Sequence, residues 1–278
     1  MTRRTWLAAL AAASAAAPQE LKPTPRKGRL KQCVTRGVFG RNMPFDEMCR
    51  HAARLGVVGF DLIGPEDFPV LKKYGLIPTM VPGAMTLTGG FNHKEDHPAV
   101  EKALRELIDN AAAAGAPNVI ALSGNRRGIS DQEGMDNVVA LLSRVKGQAE
   151  DRGVNVCLEL LNSKVNHPDY QCDHTAWGVE VCRRVNSPRV KLLFDIYHMQ
   201  IMEGDIIRTI RGNFQWIAHF HTAGNPGRHE MDDNQEMNYR GIARAIADLG
   251  FQGYIAHEYS PLRDPIQSLE ETLAIFTV

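Results

Sequence analysis

The sequence lacks the motifs that mark two common protein classes. None of its five cysteines form a C-x-x-C pair, and an odd number of cysteines in 278 residues argues against a disulfide framework. No G-x-G-x-x-G motif follows a predicted strand, so the usual sign of a dinucleotide-binding fold is missing. An excess of either charge is missing too, because 32 basic and 32 acidic residues leave a formal net charge of zero. A nucleic-acid partner is therefore not expected, and the charge balance favours a small-molecule partner.

Long apolar runs are scarce as well, and the one near the N-terminus is short. It extends from Trp6 to Ala17 and is too short to span a bilayer, so we expect no stable membrane span. Because two adjacent arginines precede it, the pattern over residues 1–17 is typical of a twin-arginine export signal. Residues 18–30 are rich in proline and basic residues and are predicted to form a linker. We therefore expect an exported, periplasmic protein; a cytoplasmic protein with a chance Arg-Arg pair is the alternative.

The sequence is rich in short apolar runs that alternate with longer amphipathic segments. The apolar runs predict eight strands: Gln32–Val38, Val57–Leu62, Ile77–Val81, Asn118–Leu122, Val154–Leu158, Val190–Phe194, Trp216–Phe220 and Tyr254–His257. The segments between them predict helices, among them Phe45–Leu55, Ala99–Ala114, Gly134–Arg152, Thr175–Val185, Ile206–Arg211 and Tyr239–Leu249. Several of these helices are followed at once by glycine, which favours the left-handed conformation at a helix C-terminus.

Strands separated by helices predict a parallel sheet, and strands this apolar suit a sheet that is covered on both faces. The count of eight favours closure into a (β/α)8 TIM barrel of the α/β class. We predict that residues 31–278 form this barrel as a single catalytic domain. A doubly wound open sheet is the structural alternative.

Four potential ligands stand at equivalent places, where the last four predicted strands end. In chain order they are Glu159, Asp195, His221 and Glu258. The active site of such a barrel lies at the C-terminal ends of its strands, so we expect these side chains to converge. Three converging carboxylates would repel one another unless a cation lay between them. Oxygen-rich ligation with one imidazole suits a divalent metal, Mn or Mg first and Co as a further option, better than structural zinc.

The two glutamates belong to non-adjacent strands and can face opposite sides of a substrate. We therefore predict that Glu159 and Glu258 act in acid/base chemistry as well as in metal binding, moving a proton next to a carbonyl through an enediolate. Three further residues are predicted to contact the substrate. His198 offers a hydrogen bond to a hydroxyl, Arg228 offers two to a carboxylate or sugar oxygens, and Asn162 follows Glu159 closely at the mouth.

Several segments resemble the hydroxypyruvate isomerase family of the xylose-isomerase-like superfamily. They are residues 194–200, 202–204, 225–230, 236–239 and 257–261. The resemblance implies a TIM barrel, a divalent metal, Glu159 and Glu258 as the catalytic pair, and interconversion of hydroxypyruvate and tartronate semialdehyde. A small hydroxy-carbonyl or sugar substrate is therefore expected.

One position departs from that family, whose members tend to carry glutamine where this chain has His221. The segment 219–221 is similar instead to the ketose 3-epimerases of the same superfamily. That similarity implies Glu159, Asp195, His221 and Glu258 as metal ligands, with His198 and Arg228 on the substrate. A ketose 3-epimerase or another sugar isomerase is therefore the alternative function.

Two hypotheses from other classes have less support. A phosphodiesterase of the AP-endonuclease type would need a three-zinc site with additional histidines at the ends of strands three and four. Here those strands end in Val81-Pro82 and Ser123-Gly124, without a histidine. A non-catalytic sugar-binding barrel would need neither two opposed glutamates nor a full ligand set. A homo-oligomer is left open, because no surface patch in the sequence decides it.

Overall fold

The computed structural model describes residues 26–83 and 86–278. The predicted export signal, residues 1–17, and most of the predicted linker lie outside the described residues. The last residues of that linker contact the folded domain. Arg26 donates hydrogen bonds to Thr277 Oγ1 and to the Leu55 carbonyl, both at 3.0 Å, and the Leu30 side chain is buried.

Eight parallel strands form the wall of a barrel. They are β1 (Lys31–Val34), β2 (Gly59–Asp61), β3 (Ile77–Met80), β4 (Asn118–Ala121), β5 (Asn155–Glu159), β6 (Val190–Asp195), β7 (Ile217–Thr222) and β8 (Tyr254–His257). Their order in the sheet is β3-β2-β1-β8-β7-β6-β5-β4. An isolated parallel bridge between Val81 and Val119 joins β3 to β4 and brings the ring close to closure. The predicted (β/α)8 barrel and its single domain are confirmed.

Nine α-helices surround the wall within the described part of the chain. They are α1 (Phe45–Arg54), α2 (Phe68–Lys73), α3 (His97–Ala114), α4 (Asp131–Arg152), α5 (Thr175–Val185), α6 (Ile196–Met202), α7 (Ile206–Asn213), α8 (Tyr239–Asp248) and α9 (Pro265–Phe276). The six helices predicted from amphipathic segments are all present. As predicted, α3 and α4 end at glycines with left-handed backbone, Gly115 at φ 71° and Gly153 at φ 69°. No described helix has the length and hydropathy needed to cross a bilayer.

Three helices are additional to the predicted set, and each begins with a local signal. In α2 a proline occupies the first turn, where it removes no intrahelical hydrogen bond. In α9 the Asp264 carboxylate accepts hydrogen bonds from the Ile266 and Gln267 amides and caps the helix. The short α6 begins directly after β6, so the chain turns at the barrel mouth without a connecting loop.

The first strand is shorter than predicted. It ends at Val34, and Arg36–Phe39 form a 3-10 turn where the sequence predicts continued strand to Val38. The apolar character of that segment has another cause, because Val38 and Phe39 are buried in the turn. The Phe39 ring stacks on Phe60 with their centroids 5.7 Å apart, which buries the turn against β2.

The strand alternation decides which side chains point into the barrel. Met80, Ile120, Cys157 and Leu193 form a small apolar cluster, separate from the large core between the sheet and the helices. Because successive strand residues face opposite sides, Glu159 and Asp195 share the inward face with Cys157 and Leu193. These apolar side chains fill part of the barrel interior below Glu159 and Asp195.

Candidate functional site

The structure brings the four predicted ligands together at the barrel mouth. One ligand atom each from Glu159, Asp195, His221 and Glu258 lies within 4.8 Å of all the others. Nδ1 of His221 is 3.3 Å from Oε1 of Glu159 and 3.1 Å from Oε2 of Glu258. Glu159, Asp195 and His221 are buried, and the Glu258 side chain is 23% exposed. A single cation can therefore contact all four groups.

Backbone hydrogen bonds fix the positions of these side chains. Asp195 is paired with His221 across β6 and β7. Asp195 also caps α6, since its Oδ1 accepts a hydrogen bond of 3.0 Å from the His198 amide. Glu258 follows β8 directly, and its amide donates to the Thr222 carbonyl of β7 at 2.9 Å. The ligands thus belong to the rigid wall rather than to mobile loops.

The charges of the cluster are strongly coupled. Burial raises the pKa of the Asp195 carboxyl. Burial acts the same way on Glu258, but the nearby His221 ring and Arg228 guanidinium outweigh it and lower the pKa of Glu258 to about 2. Burial disfavours the charged form of His221, yet Glu258, Asp61 and Glu159 raise the pKa of this ring well above its ordinary value. Three carboxylates packed this closely require positive charge between them.

The donor set fits a divalent cation. His221 Nδ1 is buried and makes no well-aligned hydrogen bond among the described residues, although it faces two carboxylates. Its other nitrogen, Nε2, is 2.9 Å from Oδ2 of Asp61. An imidazole with one nitrogen bound to a carboxylate and the other left for a ligand is the usual arrangement at a metal site. Three carboxylates and one imidazole suit the harder divalent metals.

Sequence analysis missed Asp61, which is fully buried at the end of β2. Burial acts to raise its pKa, but His219 and His221 hold the pKa of the carboxyl well below its usual range. Nε2 of His219 lies 2.6 Å from the Oδ2 atom of Asp61. The signal in the sequence was a carboxylate inside the apolar run 57–63, because a buried carboxylate needs partners.

His198 is also fully buried, and Asn162 sets its orientation. Oδ1 of Asn162 accepts from the amides of Val165 and Asn166, at 3.0 and 2.8 Å, which fixes the side-chain amide. The Nδ2 group then donates to Nδ1 of His198 at 2.5 Å. Nδ1 must accept, so the ring is neutral and carries its proton on Nε2. Burial, together with Arg228, lowers the pKa of His198 to about 3, which agrees with the neutral form.

Nε2 of His198 has no hydrogen-bond partner among the described residues, so its N–H is free to bind a substrate oxygen. Asn162 lies behind this ring and uses its amide to hold the ring in place. The side chain of Asn162 is fully buried and contacts His198, and its predicted contact with substrate stays a prediction. The function of both residues at the site remains a prediction.

The loop after β7 carries Arg228 and holds its side chain at the barrel mouth. Its Nη2 donates to Oε2 of Glu258 at 2.7 Å, and the guanidinium lies over the Tyr197 ring, 5.7 Å from the centroid. The residue has a left-handed backbone at φ 59°, held by a hydrogen bond from its amide to the Gly224 carbonyl. Gly224 tolerates no side chain, because a Cβ would collide with the Glu230 carbonyl.

His167 is a second residue that sequence analysis missed. It lies in the loop after β5, and its ring centroid is 5.1 Å from that of His198. Burial and the charge of Arg228 lower the pKa of His167. No sequence pattern singled out this histidine, because loop positions carry no strand or helix periodicity.

A cavity of about 330 Å³ opens beside the ligand cluster and is lined by Arg228, Glu258, Thr35 and Tyr259, among others. A larger cavity of about 570 Å³ lies at the opposite end of the barrel, around Lys31, Asn155 and Tyr254. The larger cavity contains none of the predicted site residues. The active sites of such barrels lie at the C-terminal ends of the strands, so the smaller cavity is the candidate substrate site.

Comparison with known proteins identifies the family. Residues 70–277 match the sequence model of the xylose isomerase-like TIM barrel. The chain belongs to the xylose isomerase-like TIM-barrel family. The family membership predicted from the segments between β6 and the end of the chain is thereby confirmed.

Relatives within the xylose isomerase-like family carry isomerase names. The chain is 34% identical over 117 residues to a Xenopus laevis protein that carries a provisional hydroxypyruvate isomerase name, covering 42% of each chain. It is 36% identical over 110 residues to the 2-oxo-tetronate isomerase of Cupriavidus necator, covering 40% of this chain and 42% of the relative. These two matches span about two fifths of the relatives' length. The 2-oxo-tetronate isomerase of Haemophilus influenzae is 26% identical over 250 residues, which covers 82% of this chain and 92% of that protein.

Solved structures of other proteins share the fold. The AP endonuclease, family 2, of Brucella melitensis superposes with a TM-score of 0.79 at 24% identity, covering 86% of this chain and 97% of that chain. A D-psicose 3-epimerase solved in the presence of D-fructose gives a TM-score of 0.74 at 16% identity, with 90% and 100% covered. At these identities the similarity establishes the barrel alone.

Proposed function

We propose that this protein is a metal-dependent isomerase that moves a proton next to the carbonyl of a small hydroxy-carbonyl acid. The observation that carries the proposal is the position of the two glutamates. Glu159 from β5 and Glu258 from β8 approach the same nitrogen of His221, at 3.3 and 3.1 Å, from non-adjacent strands. A substrate bound at this cluster would lie within reach of two carboxylates, and one can remove a proton while the other returns it elsewhere.

The proposed cation is held by Glu159, Asp195, His221 and Glu258. When bound, a divalent cation supplies electrophilic stabilisation of the negative charge that develops on the carbonyl oxygen. The N–H of His198 donates to a second substrate oxygen. Mn or Mg is the expected metal, with Co as a further option, because oxygen donors dominate the ligand set.

Arg228 links substrate binding to the basicity of Glu258. In the free protein its guanidinium binds Glu258, and this contact helps to keep that carboxylate ionised and weakly basic. A substrate carboxylate competes for the same guanidinium, because arginine binds carboxylates through paired hydrogen bonds. Once Arg228 turns toward the substrate, Glu258 becomes the stronger base. This coupling favours an anionic substrate such as hydroxypyruvate or 2-oxo-tetronate, the compounds in the names of the relatives.

The test is an isomerase assay of the purified protein with Mn²⁺ or Mg²⁺, using hydroxypyruvate and 2-oxo-tetronate in deuterated water. We expect interconversion together with deuterium incorporation next to the carbonyl. Glu159→Gln should lose both. Glu203→Gln is the matched control, because this carboxylate binds Thr175 at the start of α5, outside the cluster. Absence of both turnover and exchange with the two acids would refute the proposed substrate class.

A ketose 3-epimerase is the second candidate. The observation in its favour is the histidine at position 221, where the hydroxypyruvate isomerases tend to carry glutamine. A neutral ketose would bind the His198 N–H and the Arg228 guanidinium through hydroxyl groups. Incubation with a panel of ketoses separates the two candidates, since epimerisation without turnover of the keto acids would favour this alternative. Metal binding without any deuterium exchange would favour the non-catalytic sugar-binding barrel.

Export through a twin-arginine signal at residues 1–17 remains a proposal. It is supported by the arginine pair and the short apolar run. Cell fractionation with N-terminal sequencing tests it, and an unprocessed cytoplasmic chain would exclude it. Light scattering on the same preparation decides whether the barrel forms a homo-oligomer.

A further inference from the structure

The carboxylate of Asp61 is the centre of a hydrogen-bond network inside the barrel, below the ligand cluster. Oδ2 accepts from His219 Nε2 at 2.6 Å and from His221 Nε2 at 2.9 Å. Oδ1 accepts from the Thr79 hydroxyl and, at 3.4 Å, from the Cys33 thiol. A carboxylate has about four acceptor sites, so Asp61 is fully used as an acceptor.

This arrangement determines where the two histidines carry their protons. Because an ionised carboxylate only accepts, both His219 and His221 must be protonated on Nε2. The far side of His219 agrees with this assignment. Asn118 donates through Nδ2 to the Thr79 carbonyl at 2.9 Å and lies 3.5 Å from Nδ1 of His219, while its Oδ1 accepts from Asn155. Nδ1 of His219 is therefore an acceptor. The hydrogen bonds thus run in one donor-to-acceptor direction, from Asn118 through His219 to Asp61.

His221 connects this network to the candidate metal centre. With its Nε2–H group donating to Asp61, the ring turns Nδ1 toward the space bounded by Glu159 and Glu258. We propose that Asp61 is the positioning residue of the centre: it holds His221 as the Nε2-protonated tautomer, so that the Nδ1 lone pair faces the cation, and His219 anchors Asp61 in turn. This inference rests on the proposed function, because it takes the four-residue cluster to be a metal site.

A competing interpretation gives Asp61 a different task. Cys33, Asp61 and His219 also bring ligand atoms within 4.8 Å of one another, so they form a second group able to hold a metal ion. An ion there would use the lone pairs that now accept the histidine and thiol protons. The two interpretations differ in stoichiometry. Positioning by Asp61 predicts one cation per chain, and the competing site predicts two, with the second lost in Cys33→Ala.

Metal affinity of Asp61→Asn is the first measurement. Asparagine has one acceptor oxygen and one donor group, so it cannot accept from both histidines. Loss of such a partner behind a histidine ligand lowers metal affinity by about 10–100-fold. We expect a decrease of this size in calorimetric titrations with Mn²⁺, at a stoichiometry of one in the wild type. Asp173→Asn is the matched control, because Asp173 is also buried and hydrogen-bonded but lies outside both clusters. Its affinity should equal that of the wild type.

The protonation pattern of wild-type His221 is the second measurement and needs no variant. In the ¹⁵N spectrum of the protein loaded with diamagnetic Zn²⁺ or Mg²⁺, we expect the proton on Nε2 and coordination through Nδ1. A proton on Nδ1, an unchanged affinity of Asp61→Asn, or two cations per wild-type chain with the second lost in Cys33→Ala would each overturn the inference. If Asp61→Asn fails to fold, the spectrum alone decides.

The failure of the inference and that of the proposed function are distinguishable. A protein that binds one cation in an Asp61-dependent manner, yet turns over neither keto acids nor ketoses, would refute the function and keep the inference. A protein that isomerises its substrate with unchanged metal affinity in Asp61→Asn would keep the function and refute the inference. A wild type that binds no divalent cation would refute both.

Discussion

Nη2 of Arg228 donates a hydrogen bond of 2.7 Å to Oε2 of Glu258, so a guanidinium and a carboxylate form an ion pair at the barrel mouth. The two side chains are 29% and 23% exposed, and both line the candidate substrate cavity. The same Glu258 oxygen is 3.1 Å from His221. A ligand that draws Arg228 away therefore changes the charge balance of the whole cluster.

Arg228→Lys tests this coupling. Lysine keeps the charge but loses the planar pair of donors, so we expect the KM for an anionic substrate to rise and kcat to fall. The combined decrease in kcat/KM should be about 100-fold, which corresponds to about 2.7 kcal/mol. Arg263→Lys is the control, because Arg263 binds Glu271 outside the site. Equal kcat/KM values for wild type and Arg228→Lys would contradict the prediction.

Asn162→Asp tests the orientation of His198. An aspartate cannot donate to Nδ1, so the ring would turn its proton toward residue 162 and present Nε2 as an acceptor to the substrate. We expect kcat/KM to fall by more than about 10-fold, since one hydrogen bond to substrate is replaced by a repulsion. The Mn²⁺ affinity serves as the internal control and should change little. A loss of metal affinity equal to the loss of activity would indicate damage to the ligand cluster instead.

Metal should stabilise the fold through the four ligands. At a free Mn²⁺ concentration of about 100 times Kd, linkage adds about 2.7 kcal/mol to the free energy of unfolding. For a domain of this size that raises the midpoint of thermal unfolding by about 5 °C or more. Differential scanning fluorimetry with Mn²⁺ and with EDTA measures the shift. In Asp195→Asn the shift should disappear, and a full shift in that variant would contradict the assigned ligand set.

The hydrogen bonds of His97, a residue outside the candidate site, predict that the protein loses folding stability in mild acid. Its Nε2 donates to the Phe91 carbonyl at 2.9 Å, and its Nδ1 accepts from Arg144 at 3.1 Å, so the ring must be neutral in the folded protein. Burial is the largest cause that lowers its pKa below the ordinary value of 6.5. The unfolded chain therefore binds a proton on this ring more readily than the folded chain does, and stability falls as the pH drops below about 6.5.

We expect the slope of unfolding free energy against pH to be smaller in His97→Gln than in the wild type between pH 6.5 and 5. The difference cannot exceed about 1.4 kcal/mol per pH unit, the value for one proton. Urea titrations at several pH values provide the comparison. Identical slopes in the two proteins would show that this histidine titrates alike in the folded and unfolded states.

The barrel and its ligand cluster were accessible from sequence because both depend on local patterns. Apolar runs of strand length recur with helices between them, and Glu159, Asp195, His221 and Glu258 stand at the end of such runs. The C-terminal ends of barrel strands meet at one mouth, so position along the strand predicts proximity. Short elements such as α2 and α6 were missed because six or seven residues are too few to establish a helical period.

Asp61 was missed for a different reason. Its partners His219 and His221 are 158 and 160 residues away in the chain, and no local pattern encodes a contact at that separation. The orienting contact between Asn162 and His198 spans 36 residues and depends on side-chain rotamers. Sequence patterns thus located the four clustered ligand groups, while the contacts that Asp61 and Asn162 make with the histidines required coordinates.

The isolated bridge at Val81 makes the junction between β3 and β4 a weakly paired seam in the barrel. Between β3 and β4 the described backbone is joined around Val81 by two hydrogen bonds, Val81 to the Asn118 carbonyl and Ile120 to the Val81 carbonyl. These amide protons should exchange with deuterated solvent sooner than those between β6 and β7, where four residue pairs lie opposite one another. The four candidate ligands lie on or directly after strands β5–β8, which are consecutive neighbours in the sheet. Opening of the backbone between β3 and β4 would therefore break no hydrogen bond among the strands that position the ligands.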